Sequence, residues 1–380
     1  MPTRAKKRAD ETTAIDRDVA AAEAGTVVVW RGEPLPLRAV PERIAAIGGR
    51  DERDRLFGAY REALDALNAR YERRLASWVA AGDVVEASAR DGLDPRRLVA
   101  DLERLVVNSE TPYYASLRRY LALIDIEQGD ATVADLWYVT RGAAWAHWFG
   151  ERELRRAAAA VGRDAVAVEG LEGWRAAEAV LAGPAADPGA PVRAAEALAF
   201  ATLAGSPDWL GGEVGVVADD VAPIADFAAF VRLWRLRRDI GRLHYELRLF
   251  AGDAEPAVSR AYFSGIVGHM TGVMVPAEAY LHDIPAPFAS ATAVEAAILA
   301  AQLVEALEHG HGTAWWRDPA AAERIAGFGE TSSVSDALAY LGYDALDWRP
   351  VLRQIRTRLI GEMSGYGGPN ITTRAGTRKV

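Results

Sequence analysis

The sequence predicts a nearly all-α fold: a helical scaffold of two packed lobes with a cleft between them and one minor β-hairpin. Three observations carry this. Apolar residues recur at three- and four-residue steps over most of the chain. Only one stretch reads as paired strands. A chain of 380 residues, 50% hydrophobic and 26% charged, can bury one large core or two ordinary ones.

The elements follow in order. MPTRAKKRADETTAIDRD is basic with no apolar run behind it, so residues 1–20 read as a flexible terminus and not as a signal peptide. A first helical region with the hairpin is expected over 21–184. In GTVVVWRGEPLPLRAV two β-prone runs flank Arg31-Gly32, a hairpin signal. From Asp51 to Gly82, Leu56, Tyr60, Leu64, Leu67, Tyr71, Leu75 and Trp78 mark one long amphipathic helix that Gly82 ends. The segment GLDPRRLVADLERLVVNSETPYYASLRRYLALIDIEQG reads as two helices joined near Thr111-Pro112. An aromatic-rich helix opens on the Thr132 cap.

A Pro/Gly break, AADPGAP, precedes the second helical region, 185–364. It holds AAEALAFATLAG, the long DFAAFVRLWRLRRDIGRLHYELRLFAG, then TAVEAAILAAQLVEALEHG and DWRPVLRQIRTRLIGEM. The tail, 365–380, is rich in Gly, Pro and Thr without an apolar period and is expected to be flexible.

Composition narrows the function. A net charge of -9 weighs against a nucleic-acid footprint. Without cysteine there is no disulfide, no thiol nucleophile and no Cys-based zinc site. No stretch reads as the roughly 18 apolar residues of a membrane span, so a cytoplasmic protein without membrane contact is expected. Neither a phosphate-binding Gly loop nor a G-x-S-x-G elbow is present.

Several clusters invite a metal reading. His309 and His311 lie beside Glu305 and Glu308, but histidines two apart on a helix diverge by about 200°, and Gly310 and Gly312 argue that the helix stops there. Glu308 and His311 form a single Glu-x-x-His, where a di-iron bundle needs two. Asp219–Asp226 and Asn108–Glu110 resemble the metal motifs of terpene synthases, with reversed order and one motif incomplete. Helix caps explain them more simply. His147 and His244 sit among apolar helical residues, as core histidines do.

The second half carries a resemblance. RLWRLRRDIGRLHYELRLFAG, followed by YLHDIPAPFASATAVEAAILAAQLVEALEHGHGTAWWRDPAAAERI, resembles the last helices of the thimet-oligopeptidase and oligoendopeptidase-F zinc peptidases. In this alignment HGHGTAWW takes the place of a Phe-Gly-x-x-Trp-Trp loop, which makes Trp315 and Trp316 packing anchors and puts the histidines at a structural helix end. The N-terminal half is similar to that family's helical region too.

The resemblance also shows what is missing. The family hydrolyses peptides with His-Glu-x-x-His and a third ligand, a Glu on the next helix. Here Glu196 takes that third position, yet no His-Glu pair exists. Only about thirty residues separate the helix ending near Gly162 from the Glu196 helix, too few for the family's small sheet and zinc helix. The late Tyr/His cluster is replaced by PFASATAVEAA. One carboxylate cannot hold a catalytic zinc, which takes three protein ligands.

The resemblance therefore implies a degenerate relative: an oligopeptidase-like scaffold without its zinc-helix and sheet module. It would have no catalytic residue, metal or cofactor, and would bind a peptide or protein partner in a remnant cleft near Glu196, His244, Glu246 and Tyr280. One alternative is a metallopeptidase-like enzyme of altered chemistry; His244 and Glu246, two apart on a helix, point different ways and weaken it. Another is a hetero-complex in which a separate chain supplies the missing module.

Overall fold

The computed structural model describes residues 4–82, 84, 94–162, 173–183, 190–251 and 255–359. Helix α1 (Arg4–Gly25) leads into strands β1 (Val27–Trp30) and β2 (Glu33–Pro36). These pair antiparallel with Val27 opposite Pro36 and Trp30 opposite Glu33. Arg31 and Gly32 both take positive φ, 52° and 84°, the backbone that a two-residue hairpin turn requires to match strand twist. The hairpin is as the sequence predicts. The terminus is not: residues from Arg4 onward are helical, and Val19 is buried among the residues of α3 (Arg50–Ala81) and its neighbours.

The long helix α3 ends at Gly82 as expected, after the short α2 (Val40–Ala46). Asp94 then caps α4 (Pro95–Ala122), accepting hydrogen bonds from the Arg96 and Arg97 amides. Here the sequence reading fails, because Pro112 lies inside one continuous helix. A proline removes one backbone hydrogen bond and crowds the preceding turn. On both sides of it, though, the same face is held in the core, by Leu98, Leu102 and Leu105 before and Tyr113, Leu117 and Leu121 after. That burial outweighs a single lost bond. Arg237 also donates to the Val106 carbonyl, six residues before the proline.

Thr132 and Asp135 form a capping box at α5 (Val133–Thr140). Asp135 also pairs with Arg53 at 3.0 Å, both almost inaccessible, and Arg53 donates to the Ile47 and Gly48 carbonyls. Next come α6 (Glu151–Ala159), α7 (Gly173–Ala182) and α8 (Pro191–Ala201). Most of the predicted Pro/Gly break at 185–191, and all of the tail 365–380, lie outside the described residues.

The centre of the molecule is α9 (Ala218–Phe250), against which α4, α10 (Pro256–Thr271), α11 (Ala289–His311) and α14 (Arg349–Leu359) pack. Between α11 and α14 lie α12 (Pro319–Gly329) and α13 (Val334–Leu341). Gly241 lets α10 close on α9: a Cβ there would sit 3.1 Å from Met270. Helix α11 runs beside α8 and reaches His311, one residue beyond Gly310, with Gly312 as its C-cap, so it stops where the two glycines lead one to expect. It is also long and apolar enough to cross a membrane, which the sequence reading overlooked, but 78% of that apolar window is buried in the protein.

Two hydrophobic cores result. The smaller is built from α1, the hairpin, α2, α3, the start of α5, the end of α9, part of α10 and the segment around Tyr280; the larger holds the rest. Each core mixes residues from both sides of position 184.

Candidate functional site

A central helix should be buried all round. From Ile224 to Leu243 every residue of α9 is buried except five: Arg232, Arg235, Arg238, Asp239 and Arg242. All five are charged. Their spacing of three or four residues (with Asp239 beside Arg238) places them on one side of the helix. From Arg232 to Arg242 the line runs about 15 Å. At one end the Thr202–Gly205 turn covers α9: a Cβ on Gly205 would lie 2.6 Å from that of Ala228, one turn before Arg232. Past this turn the line is a partly accessible strip of the helix between Glu178 of α7 and the segment that carries Asp283, and this recessed strip is the α9 groove.

Acidic groups on the walls answer most of the arginines. Arg235 pairs with Glu178 of α7, which outweighs burial and raises the guanidinium's pKa. Arg238 pairs with Asp283 at 2.7 Å, and Arg242 bonds both Asp239 at 3.2 Å and the Asp283 carbonyl. Burial alone would raise the Asp283 carboxyl, but Arg238 and Arg242 overcome it and hold it at about 2. Water still reaches this floor, since the Arg235 and Arg238 side chains remain 36% and 32% accessible. Beside Arg238 a cavity of about 30 Å³, room for a water, opens between Tyr60, Trp137, Trp234 and Asp283. The Trp234 indole N–H is buried without a hydrogen-bond partner.

Of the four residues predicted to line a cleft, only Glu246 borders this groove. It is fully buried beyond Arg242; its Oε1 accepts from the Ser290 hydroxyl at 2.7 Å, and Oε2 has no partner. Burial pushes its carboxyl up to about 7, against the pull of Arg242 and Ser290. His244 faces another way, toward Glu103, and burial lowers its pKa. Glu196 sits 3.2 Å from Arg193 and lies against Gly329 of α12. Tyr280 donates to Glu72 at 2.6 Å, with Arg260 over its ring. The structure does not assemble these four into one site.

The sequence did hold a signal for the groove. In RLWRLRRDIGR, arginines at 232, 235, 238 and 242 step round one side of an otherwise apolar helix. Arg237 breaks the pattern and is the buried one, bonded to the Met270 and Val106 carbonyls and to Ser109.

The loop after α11 matches its reading. Trp315 and Trp316 are buried and meet edge to face at 6.0 Å. His311 completes the helix end by bonding Asp318 at 2.8 Å.

Compared with known proteins, the chain matches no family profile and no curated sequence. Solved structures do match it. An oligoendopeptidase F from Enterococcus faecium superposes with a TM-score of 0.63 over 93% of this chain and 71% of that one, at 12% identity. A second structure described as oligoendopeptidase F gives 0.64 over 96% and 76%, at 11% identity. At such identity the likeness is one of fold, and that fold is the all-α, oligopeptidase-like one.

Zinc is the metal that the family resemblance implies, and the residues present do not fit it. Among the described residues no three His, Cys, Asp or Glu side chains gather as a ligand set. Glu196, which the resemblance puts at the third-ligand position, has the Arg193 guanidinium 3.2 Å away.

Proposed function

We propose that this chain is a peptidase-like protein without a catalytic metal centre, which holds an extended peptide segment, free or belonging to a protein partner, in the groove along α9. The observation that carries this reading is the line Arg232–Arg242: over twenty residues of a buried central helix, the only accessible positions are charged. Carbonyls and carboxylates of an extended chain are what a row of guanidiniums receives. An oligoendopeptidase-like fold in a sequence without His-Glu-x-x-His supports the loss of hydrolysis, since one carboxylate does not make a zinc site.

The test is direct. The purified full chain is incubated with a tryptic digest of casein; bound peptides are sized by mass spectrometry, and zinc is measured by elemental analysis. Peptides retained intact, with zinc far below one equivalent, are expected. One equivalent of tightly held zinc together with new cleavage products would overturn the reading.

A second reading rests on the lengths. The matched structures extend beyond this chain, which covers 71% and 76% of them. A separate polypeptide completing the scaffold would account for that difference. Light scattering of the chain purified from its native host would then give a mass well above 41.0 kDa that is no multiple of it.

A further inference from the structure

The groove arginines are not equivalent. Arg235, Arg238 and Arg242 each have a carboxylate in salt-bridge contact. Arg232 has none among the described residues; its one hydrogen bond is from Nη2 to the neutral amide oxygen of Gln354, at 3.1 Å. A guanidinium taken out of water without a counter-charge is costly, and it gains more than a paired one from an incoming anion. Burial pushes Arg232 down to about 10, even though Glu178 and Glu308 act in the opposite direction.

Neither carboxylate is in salt-bridge contact with it. Glu178 is committed to Arg235. Glu308 is exposed, and it answers Arg358 as well as Arg232. Gln354 fixes the position of the Arg232 head, because its own amide donates to the Ala301 carbonyl at 3.1 Å.

We propose that Arg232, held by Gln354 beneath the Thr202–Gly205 roof, is a carboxylate-binding subsite that anchors one end of a peptide lying in the groove. This rests on the peptide-binding reading and deepens it by naming the group recognised. A C-terminal carboxylate and an acidic side chain offer the same chemistry. The roof on one side of Arg232 favours a chain that ends there.

The experiment uses the immobilised full chain and two probes, the casein digest and the same digest with its carboxyls methyl-esterified. Esterification lowers retention at least tenfold on the wild type. Arg232→Gln loses retention by the same factor and becomes indifferent to esterification, whereas Arg232→Lys falls between. Glu308→Gln removes the competing charge and raises retention several-fold, a gain that a merely structural role would not produce. For the best-retained peptide, a synthetic C-terminal amide and a Glu→Gln analogue separate the two sources of carboxylate.

Wild-type retention that is unaltered by esterification, or an Arg232→Gln protein that binds the unmodified digest as well as wild type, overturns the subsite and leaves the groove reading standing. No retention by wild type overturns both. Should Arg232→Gln fail to fold, Glu308→Gln decides: unchanged retention counts against the subsite.

Discussion

The two ends of the α9 groove handle charge in opposite ways. At one end Asp283 sits between Arg238 and Arg242, a carboxylate with more positive charge around it than it needs. At the other, Arg232 is a guanidinium with less negative charge than it needs. The arginines at both ends lie on the same helix, three or four residues from the next charge, and are partly withdrawn from water. What separates them is pairing. The Asp283 end is a completed latch that fixes the segment after Tyr280 onto α9, and the Arg232 end is open to a partner.

The largest effect should come from opening the latch. Asp283→Ala takes the salt-bridge partner from Arg238 and leaves Asp239 as the carboxylate in contact with Arg242, and should cost about 2–3 kcal/mol in urea unfolding, between the loss of an exposed pair and that of a buried one. A loss below about 1 kcal/mol would make the two ends alike and end the comparison.

Next is Glu246, buried beside the latch without a guanidinium partner. Its carboxyl is raised to about 7 by burial. A carboxyl with a folded pKa above its unfolded value favours the folded state fully below the unfolded pKa, near 4.5, and loses that contribution as pH rises toward 7. Glu295, raised to about 7 by burial alone, acts in the same direction. The urea midpoint should therefore fall between pH 5 and pH 8. Glu246→Gln should gain roughly 2 kcal/mol on wild type at pH 8 and nothing at pH 4.5. Equal midpoints for the two proteins at pH 8 would remove the carboxyl from the account.

The roof comes third. Gly205→Ala places a methyl 2.6 Å from Ala228, an overpacking that should cost about 1–2 kcal/mol and widen the Arg232 end of the groove. Retained peptides should then include more with residues beyond the anchoring carboxylate. Smallest of all is Arg61→Ala. It breaks an exposed pair with Glu278, should shift stability by less than about 1 kcal/mol, and should leave retention unchanged. It marks how little a surface pair contributes.

Much of the fold was legible because it depends on local period and turn chemistry. The hairpin turn, the Gly82 stop and the Thr132 cap each announce themselves within a few residues. Pro112 misled because a helix break is decided by what the flanking faces pack against, and that core forms from residues far along the chain. The candidate site was harder to see. Arginines at 232, 235, 237, 238 and 242 look alike in sequence, yet Arg237 spends its donors on backbone carbonyls while Arg235 finds a carboxylate on α7. Which arginine is left wanting is set by Glu178, Asp283 and Gln354, and no local pattern aligns those three. The residues predicted to share a cleft scattered for the same reason: Glu196, His244 and Tyr280 each face a different neighbouring helix.

Helix α11 has a bearing on how the molecule is made. Its apolar stretch, with a mean hydropathy of 1.4, has the length and composition of a membrane span. Two of the helices that cover it, α8 and α9, precede it in the chain, and α14 follows. During synthesis those two leave the ribosome ahead of it, so this most apolar segment emerges toward a shelter already partly made.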